Sequence, residues 1–160
     1  MVSIEQVIAA YGPALVRIAA SYERERALRD DLVQEITVAI WRALSSLQDP
    51  AKLKPFVFRI AHNRAVSHVA RQAARPGRAE LSEALHDGEA DPEARLVGKE
   101  RSERLVEAVR RLPLAYRQVV TLALEDLSYD DIAEALGLSV SNVGVRLNRA
   151  KAQLKAMLDG

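Results

Sequence analysis

Ser128-Tyr129-Asp130-Asp131-Ile132-Ala133-Glu134-Ala135-Leu136-Gly137-Leu138-Ser139-Val140-Ser141-Asn142-Val143 decides how this chain of 160 residues folds at its C-terminal end. Ser128, with an acid three residues on at Asp131, is a capping-box-like helix start. Ile132, Ala133 and Leu136 face inward on that helix, Gly137 supplies the left-handed residue that ends it, and Leu138 plugs the turn. Ser139 caps the next helix, in which Val143, Leu147 and Ala150 recur at spacings of four and three and share one face. The small Ala133 allows two helices to cross closely and steeply, and Gly137 lets the chain turn within about three residues. The pattern is a helix-turn-helix; its bland alternative is an ordinary helical hairpin. Its second helix leaves Ser141, Asn142, Val145, Arg146, Asn148, Arg149 and Lys151 outward, where they can reach base edges and phosphates in a major groove.

Upstream of this motif the apolar spacing is helical nearly throughout. Ser3 can cap a helix from Ile4 to Tyr11, which Gly12 ends; Pro13 suits the first turn of a second helix through Leu15, Ile18 and Ala19. A helix from about Asp30 to Ser45 places Leu32, Ile36, Ala39, Ile40, Ala43, Leu44 and Leu47 on one stripe. Prolines bracket Gln48 to Pro55, which reads as a loop. Phe56 to Ala74 is helical again, with Val57, Ile60, Ala61, Ala65, Val69 and Ala73 inward. Periodicity disappears from Arg75 to about Asp91, where Gly77 and Gly88 enter. Asp91-Pro92-Glu93 then starts a helix that runs to about Arg111, and another follows Leu112-Pro113 through Leu124. The expected fold is all-α: two small helical domains, residues 1–74 and 92–160, joined by a flexible linker over 75–91.

Charge is distributed unevenly in a chain of net charge +1. Between Pro50 and Ala79 stand Lys52, Lys54, Arg59, Arg64, Arg71, Arg75 and Arg78, and no Asp or Glu. A second basic group, Arg146, Arg149, Lys151 and Lys155, faces only Asp159 on the last turns. The interval between the two domains is acidic. Local excess of cations on an otherwise balanced chain points to a polyanion, because every phosphate neutralised releases counterions. A solvated helical face is the alternative for a charge run taken by itself.

Composition bounds the remaining classes. A hydrophobic content of 49% suffices for a packed core. With no cysteine there is no disulfide framework and no thiolate metal site, which fits a reducing, cytoplasmic location. No apolar run approaches the roughly 20 residues that span a bilayer, so no membrane insertion is expected. His62 and His68 are six apart, off a common helical face, and His86 lies in the linker. No metal, cofactor or catalytic arrangement is completed, and no enzyme is expected.

The two ends of the chain together resemble the bacterial sigma factors, specifically the compact two-domain extracytoplasmic function (ECF) group. Asp30-Asp31-Leu32-Val33-Gln34-Glu35 with Ile40-Trp41-Arg42 resembles the region 2 helix that docks on the polymerase clamp. Phe56-Val57-Phe58-Arg59-Ile60-Ala61-His62-Asn63-Arg64-Ala65 resembles the adjoining promoter-melting helix. Leu112-Pro113-Leu114-Ala115-Tyr116-Arg117 through Arg149-Ala150-Lys151 resembles region 4, which carries the helix-turn-helix.

The resemblance implies a function without chemistry of its own: docking on core RNA polymerase at the β′ clamp and β flap, with promoter recognition and initiation. It implies core binding by Asp30, Asp31, Gln34, Glu35, Val38 and Trp41. Contact with the downstream promoter element falls to Lys52, Lys54, Phe56, Arg59, Asn63, Arg64 and Arg71, where an aromatic edge can stack on an unpaired base. Contact with the upstream element falls to Ser141, Asn142, Val145, Arg146, Asn148, Arg149 and Lys151. Many members are held inactive by an anti-sigma protein, a further expected partner. Phe56 stands where the family usually has Trp, and Gly144-Val145 where Lys or Arg and then Ser are common, which implies weaker or more shape-dependent upstream reading. The rival class is a stand-alone helix-turn-helix transcriptional regulator, which leaves the basic strip and its aromatics unexplained.

Overall fold

Seven α-helices and two short 3-10 turns make up the regular structure of the described residues, 1–76 and 97–160, of the computed structural model, and no strand occurs among them. Helix α1 spans Ile4–Tyr22 and opens on a full capping box: Ser3 Oγ accepts from the Gln6 amide, and Gln6 Oε1 accepts from the Ser3 amide. The expected break at Gly12 does not occur. Pro13 removes one backbone donor, but Pro13 and Ala9 are both exposed, so the carbonyl left without its partner faces water. Val7, Leu15 and Ile18, buried on both sides of Gly12-Pro13, hold the two stretches as one helix.

Helix α2, Arg26–Ala43, begins about one turn before Asp30 and ends in a 3-10 turn at Leu44–Ser46. Helix α3 spans Leu53–Ala73, so the segment read as a loop is shorter than expected. Asp49 caps a 3-10 turn at Pro50–Lys52, accepting from the Ala51 amide at 3.0 Å. Pro55 lies in the first turn of α3, where a missing N–H costs nothing because that donor has no intrahelical acceptor.

Leu32, Ile36 and Ile40 of α2 pack with Leu15 and Ile18 of α1 and with Val57, Phe58, Ala61 and Ala65 of α3, all buried. Removing each large side chain from water contributes about 1.5–3 kcal/mol. One buried polar contact crosses this core: Glu23, just past α1, meets His68 of α3 at 2.8 Å. The other Glu23 oxygen accepts from the Glu25 amide, tying the α1–α2 corner to α3.

In the C-terminal half α4 spans Val97–Arg111, α5 Leu114–Leu124, α6 Tyr129–Leu136 and α7 Val140–Asp159. The expected helix start at Asp91-Pro92-Glu93 and most of the linker lie outside the described residues. The local signals of the helix-turn-helix hold in detail. Ser128 Oγ accepts from the Asp131 amide and Ser139 Oγ from the Asn142 amide, each at 3.1 Å. Gly137 is left-handed at φ 69°, a conformation that costs glycine no Cβ clash. Val143, Leu147 and Ala150 are buried against Ile132 and Ala133.

The two halves pack against each other. The end of α1 lies on α4 and α5, and α3 lies along α6. Buried Tyr22 sits beneath Arg117 of α5, whose guanidinium carbon is 5.5 Å from the ring centroid. Burial pushes the Tyr22 hydroxyl up to about 12. Arg24 forms a forked ion pair with Glu107 of α4, which Arg110 also holds at 3.1 Å. Burial would raise the Glu107 carboxyl, but hydrogen bonds and charge from Arg24 and Arg110 outweigh it and hold the group at about 2. Arg110 also donates to the Ala20 carbonyl at 2.7 Å.

Candidate functional site

Three surfaces carry the candidate residues. On α2, Asp30, Asp31, Gln34 and Val38 are exposed, and Glu35 is half-buried. Asp31, Gln34, Glu35, Val38 and Arg42 of α2, with Arg64 of α3, line an open groove of about 680 Å³. Trp41 stands beside them with 60% of its surface exposed, too much for a core indole. An apolar ring next to carboxylates and an amide suits a basic helix that also brings apolar side chains. Glu35 is already engaged: its oxygens meet Arg71 at 2.8 Å and Arg64 at 3.6 Å. The free acidity of the groove therefore resides in Asp31 more than in Glu35, with exposed Asp30 next to it in sequence outside the lining.

On α3 the basic residues divide between solvent and protein partners. Asn63 is exposed, while Arg64 and Arg71 stand over Glu35. Lys54 is half-buried at the helix start. Lys52 pairs with Glu134 of α6 at 3.3 Å, and Arg59 donates to the Glu134 carbonyl at 3.1 Å. Phe56 is half-buried and packs against the core, which keeps its ring near the start of the basic strip. Phe58 belongs to the core, edge-on to Tyr11 with centroids 5.7 Å apart. The period of α3 explains the difference, since Phe58, Ala61 and Ala65 share the buried stripe and Phe56 does not.

On α7, Ser141, Asn142, Val145, Asn148, Arg149 and Lys151 are exposed and Arg146 half-buried, opposite the Val143, Leu147 and Ala150 stripe. Tyr129, read in the sequence only as the residue after a cap, borders this face. It is exposed, and its Cε2 would lie 3.7 Å from a Cβ at Gly144. The ring occupies the flank that a side chain at Gly144 would otherwise share. Glu134, the partner of Lys52 and Arg59, was likewise missed, because nothing local pairs it with residues about eighty positions earlier. The signal for Tyr129 was available: a large aromatic at an exposed helix start beside a glycine of the reading helix.

Gly144 has ordinary helical space around it. Alanine there is expected to stabilise the C-terminal half by about 0.5–1 kcal/mol, because glycine loses more backbone freedom in a helix interior. Thermal unfolding measures this. A lower melting temperature in Gly144→Ala would mean that the Tyr129 ring cannot yield to a methyl group.

The sequence matches the Sigma-70 region 2 description over residues 7–75 and the Sigma-70, region 4 description over residues 102–154. It is 31% identical to the RNA polymerase sigma factor CnrH of Cupriavidus metallidurans, over 96% of this chain and 85% of that one. It is 29% identical to the ECF RNA polymerase sigma-E factor of Escherichia coli, over 76% of this chain and 69% of that one. The solved structure of CnrH in complex with the cytosolic domain of CnrY superposes with a TM-score of 0.71, at 28% identity, covering 98% of this chain and 87% of that one. Helix order, the groove beside Trp41 and the capped helix-turn-helix thus coincide with matches at both ends of the chain. The chain belongs to the sigma-70 family of RNA polymerase sigma factors, in the extracytoplasmic function group, and its function is that of a transcription initiation factor and not of a stand-alone regulator.

Proposed function

We propose that α2 docks the chain on core RNA polymerase, that α3 takes the strand exposed when the promoter opens, and that α7 reads the upstream promoter element. The domain boundaries proposed with it are 1–74 and 92–160, each carrying one of the two promoter contacts. The observation that carries the reading is the groove lined by Asp31, Gln34 and Val38 of α2, on the helix that also carries an exposed Trp41 about one turn beyond Val38. The chain itself supplies no chemistry; it positions the polymerase. Its working location is the cytoplasm, with the polymerase, and no helix of the described residues is long and apolar enough to cross a membrane. CnrH is solved with the cytosolic domain of CnrY, and a protein inhibitor of the anti-sigma kind is proposed here on that likeness.

Docking is tested by Asp31→Lys combined with Trp41→Ala, which leaves the Glu35 ion pairs intact. The variant is expected to bind core polymerase about tenfold or more weakly, with an unchanged helical spectrum, since lost charge complementarity and a lost aromatic anchor each cost on the order of 1 kcal/mol or more. Unchanged binding in a salt titration would remove α2 from the interface.

Upstream reading is tested at Arg149 and Tyr129. Arg149→Ala is expected to weaken binding of the holoenzyme to its upstream element by about 1–3 kcal/mol if the guanidinium meets a base, and by less if it meets a phosphate. A base contact shifts sequence preference, whereas a phosphate contact lowers the salt slope for every sequence. Tyr129→Ala is expected to shift preference at the edge of the element, because the ring stands beside the reading face. An unaltered sequence preference in both variants would place the groove-facing side of α7 elsewhere.

A further inference from the structure

We infer that Val145 reads a thymine, its methyls packed on the 5-methyl group of one base of the upstream element. The Tyr129 ring closes the flank of that contact. The inference rests on the proposed reading role of α7 and adds to it which base is read and by what group. Val145 is 44% exposed and Tyr129 43%. At 3.6 residues per turn a step of two residues is a rotation of about 200°, so Val145 points away from both Val143 and Leu147, which are buried. It therefore stands in the middle of the outward face, with Ser141 one turn before it and Asn148 one turn after, both exposed. Folding gives little reason for valine there: much of its side chain stays in water, and a β-branched residue forms helix less readily than Ala, Arg or Lys.

The chemistry of the surrounding residues selects the ligand. From Val140 to Val145 the helix carries no charged side chain, so the Arg or Lys that would pair with guanine O6 and N7 is missing from the turns that enter a major groove first. An apolar side chain has one match on the base edges of that groove, the 5-methyl of thymine, which also distinguishes thymine from cytosine. Gly144 keeps the approach open. A Cβ there would lie 3.7 Å from Tyr129 Cε2, so the ring borders the helix at the one position that puts no side chain between it and the groove. The cations come later: Arg149 and Lys151 are exposed, have no ion pair among the described residues, and are left for phosphates or a further base. A helix face that is apolar and neutral where it enters the groove and cationic beyond suits duplex DNA better than a protein partner.

The test uses holoenzyme assembled from core polymerase and the full chain, with duplexes selected from a library randomised across the upstream element. The parent is expected to select at least one fixed T·A pair. Uracil in place of that thymine is expected to weaken binding about threefold to fivefold, the effect of withdrawing one methyl from an apolar contact. Val145→Ala, at an exposed position where alanine is the better helix former, is expected to fold as the parent does and to bind the thymine and uracil duplexes equally. Tyr129→Ala is expected to reduce the uracil penalty without abolishing it. Selection of no thymine by the parent overturns the assignment, as does a full uracil penalty retained in Val145→Ala. A penalty lost in Tyr129→Ala but kept in Val145→Ala moves the methyl contact to the ring and overturns it too. Weaker assembly of Val145→Ala with core polymerase, with the penalty kept, would place the valine in a protein contact instead. Failure of the wider reading is distinguishable: Arg149→Ala and Val145→Ala would both select the parent's element with the parent's affinity, which removes α7 from the DNA and the thymine contact with it. Failure of the thymine contact alone leaves the Arg149→Ala effect in place.

Discussion

Phe58→Ala is expected to lower the unfolding free energy by about 3–5 kcal/mol, the largest effect of any single truncation proposed for this chain. The ring is 1% exposed, stands edge-on to Tyr11 at an interplanar angle of 79°, and packs where α1, α2 and α3 converge. Removing it costs the transfer of a whole aromatic side chain, the edge-to-face contact, and the cavity left among Leu15, Ile36 and Ala61. The functional consequence follows from the same packing. Phe58 fixes the rotation of α3 about its axis, and that rotation sets Asn63 and Arg64 outward while Ala61 and Ala65 stay inside. Urea unfolding followed by far-UV circular dichroism measures the loss. A change under about 1 kcal/mol would mean that the site collapses around the gap and that the register of α3 is held by other residues.

Acidification from pH 6.5 to 4 is expected to remove about 3 kcal/mol of stability through one histidine. Burial lowers His62 from an ordinary 6.5 to about 4, and its Nδ1 is buried with no hydrogen-bond partner among the described residues. Below 6.5 the unfolded chain takes up a proton that the folded chain refuses until the pH falls to about 4. Stability therefore falls with falling pH across that window, at up to about 1.4 kcal/mol per pH unit, and the contribution levels off below it. The stabilisation is fully present above 6.5, the opposite direction from a histidine that gains an acidic partner. Glu107 acts in a lower window: its contribution is present above its ordinary 4.5 and is lost as the pH falls through about 2. Unfolding curves at pH 7 and pH 4.5 for the parent and for His62→Gln separate the two groups. The variant is expected to lose about 2 kcal/mol less between those pH values. Parallel losses in both proteins would show that His62 is hydrated in the folded state.

Much of the architecture was legible residue by residue. Ser128, Gly137 and Ser139 announced the helix-turn-helix because a cap is a contract between a side chain and an amide three residues away, or between a left-handed residue and its own backbone. The Val143, Leu147 and Ala150 stripe and the Leu32, Ile36 and Ile40 stripe were readable for the same reason, since 3.6 residues per turn fixes which side chains share a face. The exposed residues proposed for docking and for upstream reading followed as the complement of those stripes. The local rules failed where they were applied without the surroundings. Gly12-Pro13 reads as a stop, yet α1 continues because Val7, Leu15 and Ile18 are buried on one stripe across it. Pro55 reads as a loop residue, yet it sits in the first turn of α3.

What the chain order alone determined is the helix-turn-helix, the buried faces of the helices and the exposed residues of α2 and α7, but not that α1 runs unbroken through Gly12-Pro13. Tertiary structure decided which charges remain available: Glu35 is held by Arg64 and Arg71, Lys52 and Arg59 by Glu134, Arg24 by Glu107, and Glu23 by His68. The partners in these pairs stand 29 to 83 positions apart, and residue spacing carries no trace of them. A cap or an apolar stripe is chosen over a few bonds of backbone, where geometry leaves little freedom. A long-range ion pair is chosen only once packed helices have brought two distant side chains to the same place, and the entropy of that approach is supplied by the core and not by the pair.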